Sequence, residues 1–297
     1  MRKILLAGLL SLIMGGVYIA ASPAAGPSGD IFQKARAWLY ENKLSSTHTR
    51  DDAFAKGYVL TLGTGSPRAG ERSRAMKEKM AFTAAEAEAN REIAKVLNGV
   101  IIISDPDDPS YVKTFVQGIV RGGTVVYREY NTEQDRAVVL IRKNLVGPDS
   151  VAEKAYEAIM EDAALKKKAA TKKFYNPAAP TPPEGLYDGL IVDTGGHKFS
   201  PAIINRIFVA GGEVLYDPSA VDRAVFVERG SGVYAGDLSA AKAALGERGV
   251  QNPLVVKAYG AASISDLAVS EEDAGRIFSG NITGKFLESA RVAFVIK

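Results

Sequence analysis

The first two dozen residues decide where the rest of the chain has to fold. Arg2 and Lys3 form a positive head, residues 4–21 are an almost uninterrupted apolar run, and Ser22-Pro-Ala-Ala-Gly26 is small and turn-prone. That order is the layout of a secretory signal. Residues 1–25 are therefore expected to be a signal peptide. An uncleaved N-terminal anchor is the other reading, because about 18 apolar residues reach the lower limit for a helical span. Gly8, Gly15 and Gly16 weaken a stable helix, and Ser22 and Ala24 suit cleavage after small residues. Either reading sends the remaining chain out of the cytoplasm, to the periplasm or the outer membrane. A polytopic membrane protein is excluded by the lack of a second apolar run of that length.

An exported chain without cysteine cannot form a disulfide, so its cores alone must hold it. It also cannot carry the lipidated cysteine of a lipoprotein, and attachment to a membrane is expected only through an uncleaved N-terminus or a protein partner. Without Arg2 and Lys3 the chain has 35 basic against 34 acidic residues, and its net charge falls from +3 to +1. A nucleic-acid partner calls for a strongly basic surface and is not expected.

Residues 26–55 read as a variable lead. A first module is expected over 56–175, a proline-rich linker over 176–184 (Asn-Pro-Ala-Ala-Pro-Thr-Pro-Pro-Glu), and a second module over 185–297. Gly57-Tyr-Val-Leu-Thr-Leu-Gly63 suits a strand. Met76, Met80, Ala84, Ala87, Ala94 and Leu97 recur at spacings of three and four, which predicts one face of a helix over 73–97, stopped by Asn98-Gly99. The alanines would let that helix lie unusually close to a sheet. Strands are expected at 100–104, within 112–130 broken at Gly122-Gly123, and at 136–142, the last two joined by a polar turn at 131–135. Ser150 with Glu153 is a capping box, which opens a helix expected to run to about Lys173. In the second module, strands are expected at 186–194, 203–209, 213–216, 254–259, 267–269 and 291–296. Asp237 and Ser270 each cap a helix. The fold class is α+β: two small sandwich modules of mostly antiparallel sheets with helices packed on one face.

Several motifs invite a chemical reading. Leu190-Ile-Val-Asp193-Thr194-Gly195 has the form of an aspartic-protease loop, which needs two carboxylates sharing a proton and hence a homodimer here, since no second copy exists. The plainer reading is that Asp193 ends a strand and organises the turn at Gly195-Gly196. Gly65-Ser-Pro-Arg-Ala-Gly70 has the glycine spacing of a phosphate loop but is followed by Glu71-Arg72, where lysine and a hydroxyl are required. The carboxylates of residues 105–110 lack the register of a calcium loop and read as a solvated hairpin tip. His48 and His197 are the two histidines, too few for zinc, haem or His-based nucleophilic chemistry. The basic run 166–173 reads as a solvated helix end. Trp38 and the tyrosines read as packing or interface groups. Tyr187, Tyr216 and Tyr234 are where a ligand-binding module would place an aromatic-lined pocket. No catalytic, cofactor-binding or metal-ligating residue is assigned.

Two stretches together resemble known families. Residues 57–63, Ala84-Ala-Glu-Ala-Glu-Ala-Asn-Arg-Glu-Ile-Ala-Lys-Val-Leu-Asn-Gly99, Gln117-Gly-Ile-Val-Arg-Gly122 and Val138-Val-Leu-Ile-Arg142 resemble the LPP-twenty lipoprotein family and the related N-terminal domain of flagellar assembly protein FlgT. Residues 189–193, Pro201-Ala202, Asn252-Pro-Leu-Val-Val-Lys-Ala258 and Phe286-Leu-Glu-Ser-Ala-Arg-Val-Ala-Phe-Val295 are similar to a C-terminal segment that accompanies such domains. Where those relatives tend to have Asp-Ala-Arg-Gly, this chain has Asp193-Thr-Gly-Gly. The resemblance implies a periplasmic or outer-membrane protein, in some members associated with the flagellar basal body. The expected function is a non-enzymatic envelope assembly or scaffolding protein with envelope proteins as partners. A dimeric aspartic hydrolase and a small-ligand or glycan-binding module are the alternatives.

Overall fold

The computed structural model describes residues 30–105, 107–114, 123–163, 173–178, 185–218 and 221–296. Its helices are α1 (Ile31–Glu41), α2 (Arg50–Lys56), α3 (Arg74–Leu97), α4 (Val151–Glu161), α5 (Arg223–Arg229), α6 (Leu238–Gly246) and α7 (Glu271–Gly284). The strands of the first module are β1 (Tyr58–Gly65), β2 (Ile101–Asp105), β3 (Asp108–Thr114), β4 (Thr124–Asn131) and β5 (Arg136–Asn144). The second module adds β6 (Gly189–Asp193), β7 (Ile207–Val209), β8 (Val214–Tyr216), β9 (Val233–Ala235), β10 (Pro253–Lys257), β11 (Gly260–Ala261), β12 (Leu267–Val269) and β13 (Val292–Val295).

The first sheet, in the order β1-β5-β4, is antiparallel throughout. Its two-residue period sorts the side chains of β1 and β5 cleanly. Val59, Ala137, Val139 and Ile141 join the core beneath α3, while Tyr58, Leu60, Val138 and Leu140 pack against α1. Both faces are thus covered, not one. The second cover comes from the lead, where Ile31, Ala35, Trp38 and Leu39 follow the i, i+4, i+7, i+8 stripe of a core-facing helix. Trp38 meets Tyr127 of β4 at 5.8 Å between ring centroids, a packing role as expected.

Helix α3 starts and stops where the sequence places it, with Ser73 accepting from Met76 N and the Asn98 N–H closing on Ala94 O. Its buried face needs a correction. Ala81, Ala85, Ala89, Ile93 and Leu97 are buried, whereas Ala84 and Ala87 are exposed and Met76 is 42% exposed. The strand makes this choice. A Cβ added to Gly63 would lie 2.5 Å from Ala89 N and still nearer Ala85 O, and one added to Gly65 would lie 2.5 Å from Ala85 N and nearer Ala81 O. The two backbones touch, and only an alanine face permits that. At the same contact the Thr61 hydroxyl donates to Ala89 O at 2.8 Å. Glu88 takes the Thr64 hydroxyl at 2.8 Å and the Thr64 N–H as well.

Hairpin β4–β5 forms across the predicted polar turn, and Ser150 caps α4 by accepting from Glu153 N. That helix ends at Glu161, with Asp162 as its C-cap, and the expected continuation over 164–172 lies outside the described residues. The prolines at 180, 182 and 183 of the expected linker also lie outside.

The second module keeps the α+β class but adds parallel strands that the pattern did not reveal. In the order β10-β6-β13-β9 every pairing is parallel. A strand buried on both faces reads as a continuous apolar run. In β6, Leu190 and Val192 enter the large core while Ile191 enters a smaller one beneath α6, and in β13 Phe294 and Ala293 divide in the same way. Helices again lie on both faces, with Ala274 and Ile277 of α7 in the large core and Ala241 and Leu245 of α6 in the smaller one. The second sheet of this module, β11-β12-β7-β8, contains the expected hairpin β7–β8. Helix α5 and strand β9, absent from the sequence reading, are only seven and three residues long.

Residues 31–297 form one compact unit. One large core runs through both modules, from Phe54 and Ile93 to Leu190 and Phe294. The backbone also crosses, with Ile203 N donating to Ile101 O at 3.0 Å and Ile204 N to Ile102 O at 2.9 Å. No described helix is long and apolar enough to cross a membrane.

The touching backbones of α3 and β1 give a direct test. Gly63→Ala is expected to cost about 3 kcal/mol or to prevent folding, as overpacking does when backbone must move. Gly246→Ala, at a position where an added Cβ meets nothing within 4 Å, should stay within about 0.5 kcal/mol of the parent in urea denaturation.

Candidate functional site

Polar side chains converge at the junction of the modules. Asn205 and Arg206 interrupt the apolar run before β7, and both are buried, at 0% and 4% exposure. Asp266, fully buried just before β12, receives Arg206 Nη2 at 2.9 Å, Arg206 Nε at 3.3 Å and the Arg206 backbone N–H at 2.8 Å. Burial opposes the Arg206 charge, but the Asp266 carboxylate more than offsets this and holds the guanidinium above its ordinary pKa. Ser104 of β2, from the other module, closes the cluster. Its carbonyl accepts from Arg206 Nη2, and its hydroxyl lies 2.5 Å from both Ser263 Oγ and Ser265 Oγ and donates to Asp266 Oδ2 at 3.3 Å.

The cluster continues through Asn205 to a pair of buried tyrosines. Asn205 donates to Ser265 O and Ser200 O and accepts from Ala202 N. The Tyr234 hydroxyl has Ala202 O, Asn205 Oδ1 and Ser231 Oγ within reach, and the Tyr216 hydroxyl donates to Ser231 O at 2.9 Å. Burial pushes both phenols far above the ordinary tyrosine pKa. Sequence reasoning missed Ser104, Arg206 and Asp266. The available signal was Asn205-Arg206, a polar pair inside Ile203-Ile-Asn-Arg-Ile-Phe-Val209, which a buried segment tolerates only with partners.

Beside this cluster, between α2, the β5–α4 loop, the Gly230-Ser231-Gly232 turn and α6, lies a hollow of about 390 Å3. Phe54 and Tyr234 contribute edge-to-face rings 5.2 Å apart, and Arg248, two residues beyond α6, is among the lining residues. Of the three tyrosines singled out in the sequence, Tyr234 lines this hollow. Tyr216 is not among its lining residues, and Tyr187 packs elsewhere, against Gly280 and Gly284 of α7.

The other candidates do not join the cluster. Asp193 ends β6, and its Oδ1 accepts from Gly195 N at 2.9 Å, the turn-organising role given by the plainer reading. Thr194 is buried and bonded through its backbone to Val295 O and His197 N. His48 and His197 are both exposed. Gly65 ends β1 against α3, and Glu71 spends its carboxylate on the backbone N–H groups of Arg72 and Ser73. Asp105 and Asp108 pair across the β2–β3 turn, with Asp107 N bonded to Asp105 Oδ1. Among the described residues no group of three or more His, Asp or Glu side chains is placed to hold a metal ion. Of the basic run, Lys173 is described: its exposed ammonium meets Glu213 at 2.7 Å.

Residues 189–297 match a family model described as Treponema pallidum Tp0624, second domain. The matched segment begins at β6 and holds Arg206, Asp266, Tyr234 and Arg248, while Ser104 and Phe54 come from the unmatched part. No curated protein matches the chain.

Asp266→Asn strands a buried guanidinium and is expected to cost about 3–5 kcal/mol in urea denaturation. Glu92→Gln, which removes the exposed pair with Lys95, should cost less than about 1 kcal/mol. Because the folded pKa values of Tyr216 and Tyr234 are raised, their contribution to stability is complete below the unfolded value of about 10 and falls as the pH rises above it. In an alkaline titration these two phenols should ionise together with loss of circular dichroism, and ionisation ahead of unfolding would contradict their burial.

Proposed function

We propose that this chain is a non-enzymatic scaffold of the bacterial cell envelope, exported by its N-terminal segment and acting through protein contacts. The observation that carries the reading is how the junction uses its polar groups. Arg206, Asp266, Ser104, Asn205 and the two tyrosines bond to one another and to backbone, so they brace two modules and do not converge on a substrate. An acid or base employed in that way is not available for proton transfer. The finer assignment, an envelope protein of the LPP-twenty and FlgT kind with a flagellar or other trans-envelope partner, rests on the resemblance of residues 57–142 and of the C-terminal segment.

The aspartic hydrolase reading loses ground because Asp193 is engaged with its own turn. An Asn at 193 retains an oxygen that accepts from Gly195 N, so Asp193→Asn is expected to cost no more than about 1 kcal/mol. Fractionation of cells combined with crosslinking should place both the parent and Asp193→Asn in the envelope, joined to the same partner. Recovery from the cytoplasm, or a hydrolytic activity that Asp193→Asn abolishes, would overturn the proposal.

A further inference from the structure

The hollow beside the junction has a composition that the bracing role does not require. Its walls are largely apolar, with Phe54, Val146, Val233 and Tyr234 among the lining residues, and its volume falls within the range of about 300–1,000 Å3 usual for small-molecule sites. The floor is the Gly230-Ser231-Gly232 turn. Gly232 packs so closely on β13 that a Cβ there would lie 2.7 Å from Val292 O, so no side chain fits at that point of the turn.

Two cations line this hollow, and they differ in how they are used. Lys56 is committed, donating to Ser46 O at 2.8 Å and pairing with Asp52 at 2.8 Å. Arg248 is half-buried, and its guanidinium donates to two backbone carbonyls, Ala290 O and Arg229 O, each at 3.0 Å. Among the described residues it has no carboxylate within ion-pair distance. Glu228, the carboxylate whose field reaches it, lies 3.7 Å from Arg229, and Glu247 on the rim is exposed. Burial and the neighbouring Arg229 both press the Arg248 pKa down, against the weaker opposing pull of Tyr216, Tyr234 and Glu228. A guanidinium retained at an apolar wall without an internal anion is suited to a planar anionic group from outside.

We propose that this hollow binds a small aromatic anion, whose carboxylate or sulfonate pairs with Arg248 and whose ring packs against Phe54 and Tyr234. The inference goes beyond the scaffold reading and does not depend on it. Such a ligand would touch both modules at once, through Val146 of the β5–α4 loop and through Tyr234 and Arg248, so its binding would tighten the junction.

The test uses the full chain and two naphthalene dyes of similar size, anionic 8-anilinonaphthalene-1-sulfonate and neutral N-phenyl-1-naphthylamine, followed by fluorescence titration. The native chain is expected to bind the anionic dye at one site and to prefer it over the neutral one by at least about tenfold, with the preference shrinking as salt rises. Arg248→Met should remove that preference and leave the neutral dye's affinity unchanged. Ala244→Trp, at a half-buried position on α6 that lines the hollow, should fill it and abolish binding of both. Circular dichroism and melting identify the variants that fold, and the salt dependence of the native chain decides the question if Arg248→Met does not. Equal affinity for the two dyes, an unchanged preference in Arg248→Met, or binding that survives Ala244→Trp would overturn the proposal.

Discussion

A charge removed from water has to meet its opposite, and in this chain that requirement falls on Arg206 and Asp266. Both belong to the second module, and their ion pair is almost completely buried. It is not complete without the first module, because Ser104 supplies the carbonyl over the guanidinium and a hydroxyl to the carboxylate. Buried ion pairs are weak sources of net stability, since desolvation cancels much of the attraction. What they impose is a penalty on every arrangement that separates the partners. Undocking β2 leaves the pair itself in place but takes the Ser104 carbonyl from the guanidinium and the Ser104 hydroxyl from the carboxylate, and β2 is held in register with residues 202–204 by backbone bonds beside it.

The remaining architecture is arranged around that docking. Helix α3 lies directly on β1 and so places Ile93 and Leu97, at its C-terminal end, in the large core next to β2. Strand β6 buries both faces, one in that same core and one beneath α6. The Asp193 turn at the C-terminal end of β6 is tied back by Thr194 N to Val295 O and by Ala258 N to Asp193 O. In this position a motif that looks like a protease loop does structural work: its neighbours hold it as the end of a parallel strand, and the Asp193 carboxylate accepts from Gly195 N.

Local signals were legible in the sequence and nonlocal ones were not. The caps Ser150, Asp237 and Ser270 all act where their side chains predicted, because capping is decided within three residues. The hairpins β4–β5 and β7–β8 also followed from their turns. The buried face of α3 did not, because alanines occur on both sides of the helix and only the glycines of β1 select between them. Parallel pairing of β6 with β10 and β13 joins strands about 60 and 100 residues apart, and apolar runs do not encode direction. For the same reason Arg206 and Asp266, also 60 residues apart, could be flagged as polar interruptions but not matched to each other. The lead was the opposite case, since the stripe at Ile31, Ala35, Trp38 and Leu39 was present in the sequence but too short to stand out from its surroundings.

The central claim is that the braced junction makes residues 31–297 fold as one cooperative body. Trp38, the single tryptophan, reports on the first module from α1, while β6 and β13 lie in the second. Equilibrium unfolding in urea, followed by Trp38 fluorescence and by hydrogen exchange at the amides of β6 and β13, tests this most directly. The account predicts coincident transitions with one midpoint. Two separated transitions, with either module surviving the other, would contradict it.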